Sequence, residues 1–553
     1  MVIVGGGVAG LYTAYQLVQT AKKEQYAIPD IVVLEGRGMV GGRITTTRDA
    51  NDGKPLFNNF GWRVGDVNTE MIALAKELGI RLIPQVTPPP SGTKEGEEEK
   101  KDDGGQCKHG PNGHVCSFTT AARETYTVPA GRAPLSDFSA ASLMLGAAHA
   151  DKQDRESGYA GRTAQITWPD ESHGSMAYVV EGGMDQYPVQ LAAALPEGMV
   201  RTNHRVTEVT YHADTTGTYT VDVMVRTGDT YAPVRMSCDR VVLAAPPVSL
   251  RRFSVAHYIQ PALFAVHQRR LGHVYVRCKD GITYPDVPDR SDVPDRIYRK
   301  APDSILQQLI SGDYGKGVFQ AAYACDRFER VWREVQFHGP QKVMEQVKLQ
   351  LRRLDEETKM KEPPAGWDAT IDEVYVRISF VHRWHIEAHV NGKTKEELAL
   401  QALAPNPAQL PGLYLAGEAF SPEQGWTEGA LWTGGRVAEM ISKARKEGAC
   451  ACSISANAKV IELEKKAAAD PNSTAATKLV ASSGGGDDKK FMVYRGIVFD
   501  VSDWHLRHPG GAGMILGHVN EDVSELFDNF HGGWPAPLAT VFGLQIGCTE
   551  YSG

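Results

Sequence analysis

No apolar run in the 553 residues approaches the roughly 20 that a membrane-spanning helix needs. The nearest, ASLMLGAAHA, is about half that length, so no transmembrane segment is expected. A basic surplus is also missing. The chain has 59 Lys and Arg against 67 Asp and Glu, a net charge of −8, and nucleic-acid binding needs a basic face. No signal peptide can be read, because MVIV opens directly on a strand with almost no lead-in. A leader preceding this sequence stays open, the compartment is not fixed, and the expectation is a soluble chain. No internal repeat of fixed period is present. Cysteine is scarce: eight residues, at 107, 116, 238, 278, 325, 450, 452 and 548, are too few for a disulfide framework. Cys107 and Cys116 bracket KHGPNGHV, with His109 and His114 inside it. That stretch matches no standard zinc spacing, and a local disulfide or free thiols are the plainer reading.

A chain of this length needs several domains. Residues 87–114 are rich in proline, glycine and charge, with almost nothing to bury, and read as a disordered surface insertion. Residues 449–490 are small and polar, end in a triple glycine, and read as a linker with one short helix around AKVIELEKKAAA. Between the breaks the patterns mix. VIVGG and DIVVLE are apolar strands on either side of the amphipathic AGLYTAYQLVQTAKK, a strand–helix–strand unit. RVTEVTYHA, YTVDVMVRT and RVVLAAPP read as further strands, and TKEELALQAL and GALWTGGRVAEMISKARKE as helices.

The first strand runs into GGGVAG, which puts Gly5, Gly7 and Gly10 at the three glycines of a dinucleotide fingerprint. The first allows the tight turn, the second admits a pyrophosphate to the backbone, and the third lets helix and strand pack closely. The helix N-terminus then faces the phosphates. Glu35 closes the next strand, where a ribose-binding acid belongs. Arg37, Gly41, Gly42 and Arg43 follow at once, a second close-approach diglycine with arginines able to meet phosphate. GLYLAGEAFSPEQGWTEGALWTGGRVA repeats the logic late in the chain: a strand, then Gly417-Glu418, then a helix whose N-terminus can point at the same cofactor.

In this order, VIVGGGVAGL, VGGR, VVEGGMDQYPVQLAAAL, VVLAAPP and LYLAGEA…TEGAL resemble the flavin amine oxidase family, which includes monoamine, polyamine and L-amino-acid oxidases. The resemblance covers residues 1–447. It implies a Rossmann-like α/β FAD-binding domain with a discontinuous α+β substrate subdomain. The FAD-binding parts fall at about 1–86, 175–250 and 400–448, and the poorly matching 115–170 and 255–380 form the substrate part. It further implies that Glu35 holds the adenosine ribose and that Arg43 lies near the isoalloxazine or pyrophosphate. Val206 would meet the adenine through its backbone, Glu418 the ribityl–pyrophosphate region, and Gly417 and Thr427 the cofactor at the helix mouth. No cysteine stands where monoamine oxidases attach their flavin, so FAD is expected to be non-covalent.

Amine oxidation moves a hydride from the carbon bearing the amine to the flavin, and the protein orients the substrate. An amino acid adds a carboxylate, which an arginine fork would grip. Arg63, in NNFGWRVGD, stands where L-amino-acid oxidases carry that arginine; otherwise it caps the following helix. Gly425-Trp426 resembles the glycine–tryptophan pair beside their substrate, with Trp426 as a flat wall; otherwise Trp426 is a core residue at a helix start. The strand pattern of RRLGHVYVRCK puts His273 where many relatives have a lysine. It would serve there as a base or water-holder with a pKa near working pH, or else it is a buried strand histidine. Trp384 and His385 are candidates for lining the cavity.

The tail, GIVFDVSDWHLRHPGGAGMILGHVNEDVSELFDNFHGG, holds His508 and His531, 23 positions apart. Imidazole is a standard axial ligand of haem iron, and two would saturate it, leaving a centre for electron transfer. Pro509 stops the helix, and Gly510 and Gly511 let backbone pass close to a macrocycle. VFDVSDW…HPGG and EDVSELFDNFH resemble the cytochrome b5 haem-binding domain, a small α+β fold covering about 491–547 of a tail that runs from 491 to 553. The expected cofactors are thus FAD and haem b. The expected activity is oxidative deamination of L-amino acids to 2-oxo acids and ammonia, with the flavin reoxidised by oxygen, giving hydrogen peroxide, or through the haem to an electron-transfer partner. A polyamine or monoamine oxidase is one alternative, and a non-catalytic flavin and haem redox sensor or interaction protein is another. The family often forms homodimers.

Overall fold

The computed structural model describes residues 1–84 apart from 62, 63 and 66, strands at 106–110, 113–119 and 125–128, and residues 178–279 apart from 214–216. It also describes 297–301, 307–311, 314, 317–325, 327–358, 371–447, 490–531 and 534–548. The chain divides into two compact units, one made of Met1–Gly42, Pro188–His267 and His382–Gly553, the other of Arg43–Tyr187 and Gln268–Val381.

In the first unit five short strands pair in parallel, in the order Val200–Arg201, Val32–Leu34, Val2–Val4, Val241–Leu243, Leu413–Leu415. Parallel strands covered on both faces are apolar throughout, which is why VIV and VVL carry no alternation. By chain order the sheet reads third, second, first, fourth, fifth. The order reverses between Val2–Val4 and Val241–Leu243, and such a reversal opens a ligand crevice beyond the strands' carboxyl ends. Helix Val8–Lys23 leaves the first strand and crosses helix Thr427–Glu447 closely: a Cβ on Gly434 would lie 2.8 Å from Ala9 O, and Thr13 Oγ1 donates to Gly434 O at 3.3 Å. An antiparallel meander, His204–His212, Thr218–Thr227 and Thr230–Cys238, completes this part of the unit.

Residues 490–548 also belong to the first unit. Strands Phe491–Tyr494, Ile497–Asp500 and Gln545–Cys548 form an antiparallel sheet, with helices Ala512–Leu516, Ser524–His531 and Pro535–Leu544 between the second and third strands. The run FMVYRGIVFDV is therefore a tight hairpin. Arg495 and Gly496 at its turn both take positive φ, 49° and 75°, the pairing a two-residue turn requires.

The second unit is built on a five-stranded sheet, in the order Ile297–Ala301, Gln307–Ser311, Val318–Cys325, Val266–Cys278, Ile371–Trp384, whose first four strands pair antiparallel. Helices Arg327–Phe337 and Pro340–Thr358 cover it through Trp332, Val343, Val347 and Leu351. The second unit is made of two separate stretches, Arg43–Tyr187 and Gln268–Val381, and the first unit ends its opening stretch at Gly42. The polar insert differs from expectation. Gln106–Gly110 pairs with Gly113–Thr119, setting Cys107 opposite Cys116 and His109 opposite His114. The strand-forming GHVCSFT supplies this pairing, which the charged residues ahead of it obscured. The linker helix around AKVIELEKKAAA lies outside the described residues.

Candidate functional site

The three fingerprint glycines do different work. A Cβ on Gly10 would lie 2.1 Å from Gly5 O, and one on Gly5, at φ +116°, would lie 2.6 Å from Ala244 O. Both glycines therefore serve close packing at the point where the strand order reverses. Gly7 meets no such wall: the nearest atom to an added Cβ is Gly42 Cα, at 3.9 Å. It caps helix Val8–Lys23 in extended geometry (φ −80°, ψ 176°), and no side chain caps the helix's first N–H groups. Gly41 donates its N–H to Gly6 O at 2.8 Å and bridges Gly7, so the second diglycine closes the other side of this hollow. A hollow between two glycine turns, facing uncapped helix N–H groups, fits a pyrophosphate.

Glu35 is buried at the rim. Oε2 accepts from Gly6 N at 3.0 Å and Oε1 from Arg37 N at 2.9 Å, so each oxygen keeps a lone pair for a sugar hydroxyl. His204 N donates to Glu35 O and Asn203 N to Arg37 O, both at 2.8 Å, which brings the strand carrying Val206 to the acid. The Arg37 guanidinium donates to Gly42 O at 2.6 Å and lies 3.5 Å from Glu35 Oε1, so it braces the second turn.

At the other end of the sheet Gly417, φ +138°, has open space where a Cβ would stand, and its N–H donates to Thr433 Oγ1 at 2.9 Å. Glu418 is buried and organises the loop after it. Oε1 accepts from His382 N at 3.0 Å and Gly425 N at 2.6 Å, and Oε2 meets His382 Nδ1 at 2.9 Å. Arg383 Nη1 donates to Gln424 O at 2.6 Å, Trp384 N to Gln424 Oε1 at 2.7 Å, and Trp384 Nε1 to Ser421 O at 3.1 Å. The segment His382-Arg383-Trp384 thus fixes residues 418–425 and presents the half-buried Trp426 just ahead of Thr427, the first residue of its helix. Trp384, a candidate for cavity lining, is buried as a bracket of this loop, and His385 N donates to Ala265 O at 2.6 Å. Sequence reading missed His382, Arg383 and Gln424. They lie about 40 residues apart along the chain, and no local pattern marks the pairing.

In the second unit Arg43 donates to Phe380 O at 2.9 Å and lies 5.0 Å from the Phe380 ring. His273 is 6% exposed, with Phe60 and Tyr323 edge-on to its ring. Tyr275 gives its hydroxyl proton to Asn58 O at 2.8 Å, so its oxygen accepts from His273 Nδ1 at 3.3 Å. Nε2 then carries the lone pair, buried and with no hydrogen-bond partner among the described residues. Burial pulls the His273 pKa down to about 3, not near working pH: the charged ring would be stripped of water with no anion to compensate. A neutral acceptor remains, suited to holding a water's proton. Arg63 lies outside the described residues.

In the C-terminal part His508 and His531 face one another with ring centroids 6.2 Å apart and planes at 84°. Two imidazoles bound to one metal at ~2.0 Å put their ring centres about 6 Å apart, so the pair is spaced as two residues that would hold one iron between them. His508 Nδ1 donates to Gly511 O at 3.3 Å, which leaves Nε2 for the metal. Burial and the neighbouring His508 lower the pKa of His531, which favours the neutral, ligating form. Gly510 has a local role: a Cβ there would lie 2.8 Å from His508 Cε1, so the glycine clears room for the ring. Leu506, Phe530 and Trp534, near the histidines in sequence, are exposed apolar side chains.

Two wild-type or variant structures of putrescine oxidase resemble the chain. A double mutant aligns at 16% identity and TM-score 0.49, and the wild type bound to putrescine at 16% and 0.47; each alignment covers 80% of this chain and 98% of the other. No curated protein matches it. Residues 477–536 match the cytochrome b5-like haem/steroid binding domain, and residues 8–442 match the flavin-containing amine oxidoreductases. FAD and haem are the cofactors of these two domains. With the larger match spanning most of the 553 residues, the chain belongs to the flavin-containing amine oxidoreductase family and carries a C-terminal cytochrome b5-like domain.

Proposed function

We propose that this chain oxidatively deaminates L-amino acids to 2-oxo acids and ammonia. The observation that supports the reading is the bracing of Glu418 and Gln424 by His382, Arg383 and Trp384, in the loop that leads into Trp426 at a helix mouth, where Trp426 would stand as a flat wall. A rigid flat wall orients an α-carbon, and orientation is the larger part of what the protein contributes to hydride transfer. Bound FAD supplies the hydride acceptor. The chain's own groups do the rest. Glu35 accepts from the ribose hydroxyls, the uncapped helix N–H groups beside Gly7 hold the pyrophosphate, and Arg63 pairs with the substrate carboxylate. His273, neutral throughout the working range, accepts a proton in a hydrogen bond at Nε2 and does not act as a strong base. The substrate amine must therefore arrive unprotonated, and His508 and His531 hold the haem.

The test is anaerobic mixing of the holoprotein with a panel of L-amino acids and with putrescine and simple monoamines, followed at the flavin band. Bleaching by amino acids, lost on Arg63→Ala while any amine reaction persists, is the expected result. Bleaching by amines alone, or equal loss on both classes in Arg63→Ala, overturns the assignment.

A further inference from the structure

Helix Pro535–Leu544 has no polar face. PAPLATVFGL carries one hydroxyl and no charge, and every residue from Leu538 to Leu544 is buried. A helix apolar all round belongs in an interior, yet so small a domain covers it on one side only. Leu538, Val541 and Leu544 pack into the domain's own core with Met492, Tyr494 and Phe499. Phe542 packs instead into the flavin-domain core with Leu398, Ala402 and Leu410, and stacks on Trp384 with ring centroids 6.0 Å apart and planes at 7°. At Gly543 the backbones meet directly: a Cβ there would lie 2.5 Å from Ala388 O.

Polar ties close the same junction. Helix carbonyls at a C-terminus need donors, and here the flavin domain supplies them. Gln401 Nε2 donates to Phe542 O at 2.7 Å, and Lys393 Nζ donates to Gln545 O at 2.7 Å and to Gln401 Oε1 at 2.6 Å. Arg495, at the hairpin turn, donates to His257 O at 2.5 Å and pairs with Asp528 at 2.6 Å. Asp528 sits on helix Ser524–His531, so the helix that ends in a haem-ligand candidate is itself tied to the flavin domain.

We propose that the cytochrome b5-like domain is docked on the flavin domain through helix Pro535–Leu544, without need of the segment 449–490, and that flavin electrons reach the haem singly by way of the Trp384–Phe542 contact. The proposal rests on the residues proposed above to hold the FAD and the haem. Trp384 is bonded to Gln424 and Ser421 of the flavin-side loop and stacks on the haem-side helix, so one side chain spans both. Each transfer takes one ferric haem to ferrous. Two transfers return the reduced flavin to its oxidised form and release its two protons to solvent, with an external one-electron acceptor such as ferricyanide reoxidising the haem between them.

The test uses the full-length holoprotein with a protease site placed within 449–490, and reduces the flavin by light and a sacrificial donor. Because no amino acid is involved, a failed substrate assignment leaves this result untouched. After cleavage the two pieces are expected to co-elute in gel filtration, with the haem band reduced as fast as in the uncut chain. Gly543→Val should separate the cut pieces and slow haem reduction by about tenfold or more, in step with the lost docked fraction, while the haem spectrum is kept. Should that variant lose its haem spectrum, Lys393→Ala with Gln401→Ala breaks the same junction from the flavin side. Trp384→Leu should slow haem reduction while the pieces still co-elute. Separation of the unsubstituted cut pieces overturns the docking, and an unchanged rate in Trp384→Leu overturns the route.

Discussion

Gly7→Ala and Gly10→Ala should fail for opposite reasons. At Gly10 the new methyl would stand 2.1 Å from Gly5 O, a backbone atom with nowhere to go. Helix and strand must part, and overpacking of this kind costs about 1–3 kcal/mol. At Gly7 the methyl meets nothing of the protein closer than 3.9 Å, and φ −80° with ψ 176° is a conformation alanine adopts freely. The apoprotein should therefore keep its stability or gain about 0.4–1 kcal/mol, because alanine has less unfolded-state freedom to lose. The methyl does occupy the hollow between the two glycine turns. Losing one or two backbone bonds to a charged phosphate there costs about 3 kcal/mol, close to a hundredfold in FAD affinity. Urea unfolding of flavin-stripped protein and FAD titration by flavin fluorescence separate the cases. Gly10→Ala should lose apoprotein stability. Gly7→Ala should lose only FAD. Wild-type FAD affinity in Gly7→Ala would refute the phosphate hollow.

The buried His273 should mark the acid side of the stability profile. Its folded pKa of about 3 lies below the unfolded value near 6.5, so the unfolded chain binds the extra proton between them and stability falls as pH drops through that window. Urea unfolding from pH 7 to pH 4 should show His273→Phe losing up to about 1.4 kcal/mol per pH unit of that slope; an unchanged slope would mean that His273 is not buried neutral. His508→Ala and His531→Ala should each abolish the low-spin six-coordinate haem spectrum, with added imidazole restoring it, and a wild-type spectrum in either would remove that residue from the ligand pair.

The fingerprint, Glu35, the second diglycine and the Gly417-Glu418 turn were legible because their chemistry is local: a strand, a tight turn and a helix start within a few residues. His508 and His531 were legible by spacing, but spacing could not say that Gly511 O fixes the His508 tautomer or that Gly510 clears its ring. The bracing of Glu418 by His382 was invisible, because a hydrogen bond across 36 residues leaves no periodic trace. The choice between the two readings of His273 was hidden for a related reason: alternation along a strand reports which face a residue takes, not how fully other elements close over it.

The sequence by itself determined the parallel sheet's glycine turns, the acid at the end of its second strand, two cofactor-binding modules and the histidine spacing. Each of these is dictated by backbone sterics and side-chain chemistry over short distances. Tertiary structure alone decided that the unit boundary falls at Gly42 and that the C-terminal domain joins the first unit. It alone decided, too, that the Leu538–Leu544 part of PAPLATVFGL is buried on both sides. That helix could be read as apolar from its letters, but what covers its second face depends on Ala388, Trp384 and Gln401, and only the folded chain brings them to it.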